Sequence, residues 1–193
     1  MFGRTITDKR ELEEFARGYT KAFSGRNAVS NVHVTADSLA ESDKVIAYYC
    51  KGKMKAGFVY NRRPNRYLLT LDKETQIGPY QKELFKEGAV ETCAMWKTRD
   101  FSFFTLRVWV RIFFEIMKTP GKYTIAGIYP SHGMFEYYTR NGAKFLDQGD
   151  TNRKLAVFII PKMQFMRSFL FGVRERIGKL VFDKDKLRHK KIN

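Results

Sequence analysis

The stretch "DFSFFTLRVWVRIFFEIMKTPG", residues 100–121, constrains the fold more than any other part of the chain. It runs without a breaker until Pro120 and Gly121, which are stop signals for a helix. Arg107, Arg111 and Glu115 recur every four residues and form one narrow polar stripe, while the other faces are apolar or aromatic. A helix of this kind needs cover on most of its surface. The strand-like run "AVETCAMWK" precedes it and "KYTIAGIY" follows it. Two such runs joined by one helix imply a right-handed parallel crossover from Val90 to Tyr129.

The remaining elements are read around that unit. "TDKRELEEFARGYTKAF" starts with Asp8 and Glu11 at capping-box spacing, and Leu12, Phe15, Ala16, Tyr19 and Phe23 follow a helical period. "SGRNAVSNVHVTADSLAES" reads as a loop with room for one helical turn. "DKVIAYYC" and "KAGFVYN" flank the turn "KGKM" and form a β-hairpin; "RYLLTL" is a third strand after the turn "RRPN". "PYQKELF" is a short helix candidate opened by Pro79. "HGMFEYYTRNG" is a helix stopped by glycine, and "KLAVFIIPK" is the last strand. The expected class is α/β (α+β): a mixed, mostly antiparallel central sheet flanked by helices.

A chain of 193 residues holds one domain, and 44% hydrophobic residues can build its core. Its net charge of +16 implies attraction to an anionic partner. The basic residues are spread along the sequence without a nucleic-acid motif, which argues against that partner class. Cys50 and Cys93 are expected as buried free thiols in a reducing compartment. His33, His132 and His189 share no metal-ligand spacing with them, so no metal is implied. No secretory signal or spanning run is legible, and the expected location is cytoplasmic.

"SHGMFEYYTRNGAKF" carries a family resemblance. With the order of elements from Asp43 to Lys162, it resembles the GNAT superfamily of N-acyltransferases. The motif there is N-x-x-A-x-x-x-Y-x-x-x-G-F: Tyr138 takes the tyrosine place and Gly142 the glycine place. Ser131 and Met134 stand where asparagine and a small residue would be. The family's phosphate loop, R-x-x-G-x-G/A, has "RDFSFF" as its counterpart. Arg99 keeps the arginine, while Ser102 and Phe104 replace the glycines whose missing side chains let backbone N–H groups approach phosphate.

The resemblance implies transfer of an acyl group from a thioester donor, acyl-CoA or acyl carrier protein, to a small-molecule or protein amine. Glu91 on its strand would act as base, directly or through water, with His132 as the substitute base and Tyr138 as acid. Each has a plainer reading: Glu91 as an edge-of-strand carboxylate in solvent or paired with a lysine, His132 as a surface loop histidine, Tyr138 as core. The backbone of Cys93, Ala94, Met95 and Trp96 would run beside the pantetheine arm. Lys97, Arg99, Ser102 and Phe103 would lie at the phosphate site. Three donor arrangements stay open: looser CoA binding, an acidic acyl carrier protein steered by the basic surface, or lost donor binding. The last gives the alternative reading, a non-catalytic module on the same fold acting at a membrane or on an anionic partner.

The GNAT-like domain is expected over residues 1–162, and residues 163–193 form a basic amphipathic C-terminal helix and tail. In this tail Phe165, Met166, Phe169, Leu170, Val173, Ile177 and Leu180 mark one helical face, with Arg167, Arg174, Arg176 and Lys179 opposite. That pattern suits a membrane surface, packing on the domain, or a homo-oligomer.

Overall fold

The computed structural model describes residues 3–23, 34–62, 88–101, 105–128, 134–147, 156–167 and 169–170. In chain order the elements are β1 (Arg4–Ile6), α1 (Lys9–Phe23), α2 (Ala36–Ala40), β2 (Lys44–Cys50), β3 (Lys53–Asn61) and β4 (Ala89–Lys97). They continue with α3 (Thr105–Lys118), β5 (Tyr123–Ile128), α4 (Met134–Arg140), β6 (Lys144–Asp147) and β7 (Ala156–Pro161), followed by helical residues at 162–167 and 169–170. The strand "RYLLTL" and the helix "PYQKELF" fall outside the described residues.

The strands form one sheet in the order β1-β2-β3-β4-β5-β7-β6. Within it β4 and β5 run parallel, as the crossover through α3 requires, and the other pairings are antiparallel. The class is the expected mixed, mostly antiparallel sheet flanked by helices. Two strands were missed. β1 has three residues with only Ile6 buried, and β6 has four and pairs with β7, which lies between it and β5. Both are too short to display a period.

Local chemistry explains the element ends. Asp8 accepts from the N–H groups of Arg10 (3.0 Å) and Glu11 (3.3 Å), so it is the N-cap expected of it. Glu11 does not return the bond of the expected capping box: its carboxylate accepts instead from Arg4 and from the Tyr49 hydroxyl at 2.8 Å, tying α1 to β1 and β2. A complete capping box occurs instead at α2, between Thr35 and Ser38. The hairpin turn is tighter than "KGKM": Lys51 and Gly52, at φ of 49° and 72°, join β2 to β3 alone.

Two apolar layers cover the sheet. Leu12 and Phe15 of α1 and Leu39 of α2 pack with Val45, Ala47, Val59, Ala89, Cys93, Trp96 and Ile125 on one face. On the other, Val108, Ile112 and Ile116 of α3, Tyr138 of α4 and Phe165 pack with Ile46, Phe58, Tyr60, Val90, Phe158 and Ile160. Phe165 of the C-terminal segment therefore belongs to the domain core.

The polar stripe of α3 divides differently from the expectation. Glu115 is buried, and Lys44 and Arg111 each reach it at 2.8 Å. Burial pushes its carboxyl up, but Lys44, Arg111 and Lys118 outweigh that and hold it below the usual carboxylate range. The exposed side of α3 carries Arg111, Phe114 and Lys118, so the helix is not covered on every apolar face. Cys93 is buried as expected. Cys50, at the end of β2, is only partly buried, and neither cysteine is in a disulfide.

Candidate active site at the opening between β4 and β5

The site is built on a break in strand pairing. β4 and β5 pair at Ala89–Tyr123, Val90–Thr124 and Glu91–Ile125, and their paired register ends there. Yet β4 continues to Lys97 against β3, and β5 continues to Ile128 against β7. From Thr92 onward the two strands leave a V-shaped opening whose facing backbone groups are not used by each other. Hydrogen-bonding groups on such an edge can pair with an extended ligand.

Three features fix the vertex of the V. Gly88 and Gly121 meet back to back: a Cβ on Gly88 would lie 3.1 Å from the Gly121 Cα, and one on Gly121 would lie 2.9 Å from the Gly88 oxygen. The backbone N–H groups of Lys122 and Tyr123 donate to that same oxygen at 3.1 and 3.3 Å. The Thr124 hydroxyl donates to the Val90 carbonyl at 3.0 Å.

Past the vertex, β4 carries a bulge. Gly57 pairs with Trp96 and Val59 with Cys93, so three steps along β4 oppose two along β3. Ala94 takes up the extra residue in the left-handed region, at φ of 46°. The bulge shifts the phase of the strand. Cys93 and Trp96, three residues apart, both face the α1 layer, where the Trp96 ring meets Phe15 edge-on at 5.7 Å. Met95, on the alternate side, is 41% exposed. Of the residues expected along the pantetheine arm, Cys93, Ala94 and Trp96 are buried while Met95 is exposed; Lys97, expected at the phosphate site, is exposed as well. A strand phase shift could not be read from "AVETCAMWK", because an alanine gives no warning of positive φ.

Glu91 stands at the last paired register before the opening. It is fully buried, which overturns its reading as a solvent-exposed carboxylate. Its directly opposed neighbour on β3, Asn61, donates from Nδ2 to Oε2 at 2.7 Å, and the Cys93 thiol lies 3.8 Å from the same oxygen. Asn61 Oδ1 in turn accepts the Asp43 N–H at 3.2 Å. Asn61 was not singled out in the sequence. Its only signal there is a polar residue closing the apolar run "KAGFVYN", thirty positions before Glu91.

Tyr138 lies on the other face. It is 8% exposed, and its ring packs on Phe158 of β7 at 4.8 Å between centroids. The Ala143 N–H donates to the Tyr138 carbonyl at 3.0 Å and the Gly142 N–H to Thr139 at 3.2 Å, with Gly142 at φ of 80°. These bonds are a Schellman cap, so the spacing of tyrosine four residues before glycine fixes how α4 ends. Glu91 and Tyr138 thus sit on opposite sides of the sheet, with the opening in the sheet between the two layers.

Arg99 is exposed in the turn after β4. That turn is held by Lys55, whose ammonium pairs with Asp100 at 2.7 Å and, with Thr98, draws the Asp100 carboxyl down to about 2. Ser102, Phe103 and His132 lie outside the described residues.

No family model and no curated protein sequence matches the chain. Solved structures do. FeeM, an N-acyl amino acid synthase from uncultured soil microbes, superposes with a TM-score of 0.57 at 11% identity, over 83% of this chain and 90% of that one. BjaI, a CoA-dependent acyl-homoserine lactone synthase, superposes at 0.56 and 12% identity, over 92% and 89%. An N-acetyltransferase from Staphylococcus aureus Mu50 gives 0.52 at 10% identity, over 83% and 98%. Identity this low speaks for architecture and not for a particular reaction. The strand order, the opening after Glu91 and these superpositions together establish that the chain has a GNAT-like fold.

Proposed function

We propose that this protein is an N-acyltransferase that moves an acyl group from a thioester donor to an amine. The observation that carries the reading is the opening between β4 and β5, with the Ala94 bulge on its β4 side. A thioester carried on a pantetheine arm is a narrow, amide-bearing chain, and an unpaired strand edge offers it the hydrogen bonds that a neighbouring strand would otherwise take. A non-catalytic module would have no need for the gap, and a sheet zipped through Lys97 would be the more stable arrangement.

In this reading the amine nitrogen attacks the thioester carbonyl and a tetrahedral intermediate forms. The ammonium proton passes to Glu91, through water because the carboxylate is fully buried. The carbon–sulfur bond then breaks, and the departing thiolate takes a proton from the Tyr138 hydroxyl on the other side of the sheet. Amide and free thiol are the products, and the protons balance when Glu91 gives up the proton it took and Tyr138 regains one. The exposed Lys97 and Arg99 attract the donor's phosphates. FeeM and BjaI make N-acyl amino acids and acyl-homoserine lactones, so donors longer than acetyl and amino-acid-like acceptors are the first to try.

The test incubates the purified protein with acetyl-, octanoyl- and palmitoyl-CoA, and with the same chains on acyl carrier protein, against a panel of amino acids and homoserine lactone. Thiol release and N-acyl products are followed by mass spectrometry. Turnover with at least one pair is expected, and the carrier-to-CoA rate ratio identifies the donor. Thiol release no faster than in protein-free blanks for every pair would sink the proposal.

A further inference from the structure

Two neighbouring helical stripes outside the candidate active site expose large apolar and basic side chains in alternation. Among the described side chains of α3 the exposed ones are Arg111, Phe114 and Lys118, which at 100° per residue fall within about 60° of one another. Phe114 is 51% exposed. On the helical segment after β7 the exposed residues are Met163, Arg167 and Leu170, at the same spacing, with Met163 57% and Leu170 56% exposed. Phe113 and Phe169 stack at 4.6 Å with their planes 15° apart and Phe113 also meets Phe114 edge-on, so the two stripes adjoin across an aromatic seam.

We propose that this face binds an anionic membrane surface, with Phe114, Met163 and Leu170 entering the headgroup region and Lys118 and Arg167 on the lipid phosphates. Charge decides the class of occupant. The chain carries +16, so a second copy would bring equal repulsion, whereas an anionic surface is attracted. The layout also favours a membrane over an acidic protein. Apolar and basic residues alternate along both helices instead of forming an apolar centre with a polar rim. The sequence beyond residue 170 repeats the alternation with Val173, Arg174, Ile177, Lys179 and Leu180. Among the described residues no helix is long and apolar enough to cross a membrane. Phe114 also lies nine residues past Thr105, about 14 Å along α3 from the end near the opened strand. Attachment here leaves the opening between β4 and β5 free.

The test is co-sedimentation of the full chain with phosphatidylcholine vesicles and with vesicles containing phosphatidylglycerol, at low and high salt. The parent protein is expected to bind the anionic vesicles, less at high salt, and to bind neutral ones weakly. Lys118→Gln with Arg167→Gln should lower the partition roughly thirtyfold, the effect of two cationic side chains near an anionic surface. Phe114→Ser with Leu170→Ser should lower it at least about tenfold. All four side chains are exposed, so melting temperature and circular dichroism should match the parent in both variants. Full vesicle binding by both variants, equal binding to neutral vesicles, or no vesicle binding by the parent each overturns the proposal. A parent dimer abolished by Phe114→Ser and Leu170→Ser, without vesicle binding, would reassign the face to contacts between copies.

Discussion

Replacing Glu91 with glutamine separates the two things that Glu91 could do. Glutamine has nearly the same shape, and its side-chain oxygen can still accept the Asn61 amide that now reaches Glu91 at 2.7 Å. The substitution weakens a charge-assisted bond to a neutral one, a loss of about 1 kcal/mol. It also relieves the desolvation cost of a buried charge, which acts in the opposite direction. Stability should therefore change by no more than about 1 kcal/mol, or roughly 2–4 °C in a chain of this size. Removing a general base slows the reaction by about 10²–10⁴, or roughly 3–5 kcal/mol in the barrier. Single-turnover acyl transfer at saturating donor, measured across pH, reads the second effect, and thermal melting reads the first. The parent should turn over across the range, and Glu91→Gln should lose the rate by that factor at every pH tested. Asn61→Ala is the control: it keeps the carboxylate but removes the bonds to Glu91 and Asp43, costing roughly 2–4 kcal/mol of stability. If Glu91→Gln keeps its rate within about threefold and the same pH dependence, the base assignment fails. Glu91 would then be only a pin at the vertex.

Three further outcomes are expected. Tyr138→Phe keeps the ring contact with Phe158 and should cost less than about 1.5 kcal/mol of stability. It should slow transfer about a hundredfold, and less with a thioester whose thiol is more acidic; equal slowing with both leaving groups would refute the acid role. Gly18→Ala normally stabilises a helix by about 1 kcal/mol, but its Cβ would lie 2.3 Å from the Trp96 ring, so crowding of roughly 1–3 kcal/mol should make the net change destabilising in urea unfolding. A gain in stability would show that Trp96 is not wedged there. Burial pushes the Tyr48 and Tyr60 hydroxyls up to about 12, above the ordinary tyrosine value to which they return on unfolding. Their contribution to stability is full below pH 10 and lost between about pH 10 and 12. The melting temperature should fall across that window, with the tyrosinate absorbance of these two rings added only as the chain unfolds; a flat profile would contradict the burial of both rings.

The sequence revealed the elements with long periods and hid the short or irregular ones. The crossover through α3 was legible because an apolar helix between two apolar strands has few ways to bury itself. Glu115 was legible only as part of a polar stripe, because its partner Lys44 is seventy-one residues distant and charge pairing across a fold leaves no local pattern. β1 and β6 have three and four residues, shorter than the windows in which periodicity shows, while five-residue α2 is the single helical turn that the loop before β2 had room for. At the site, the positions of Glu91 and Tyr138 came from spacing and resemblance. The features that give Glu91 its setting are tertiary: the Asn61 amide, the Ala94 bulge and the end of pairing with Ile125. None follows from a run of side chains, since each depends on a neighbouring strand.

The back-to-back contact of Gly88 and Gly121 makes the opening a lever. From Gly88 to Lys97 β4 runs about 30 Å, so a rotation of roughly two degrees at the fulcrum, carrying β3 with it, displaces its tip by about 1 Å. An error of that size between reacting groups can cost about a hundredfold in rate. The gauge of the mouth is thus set at the far end of the strands, by two residues outside the opening itself. A methyl group at either glycine would spread the jaws without touching the chemistry, and would look in a kinetic assay like a change in substrate length preference.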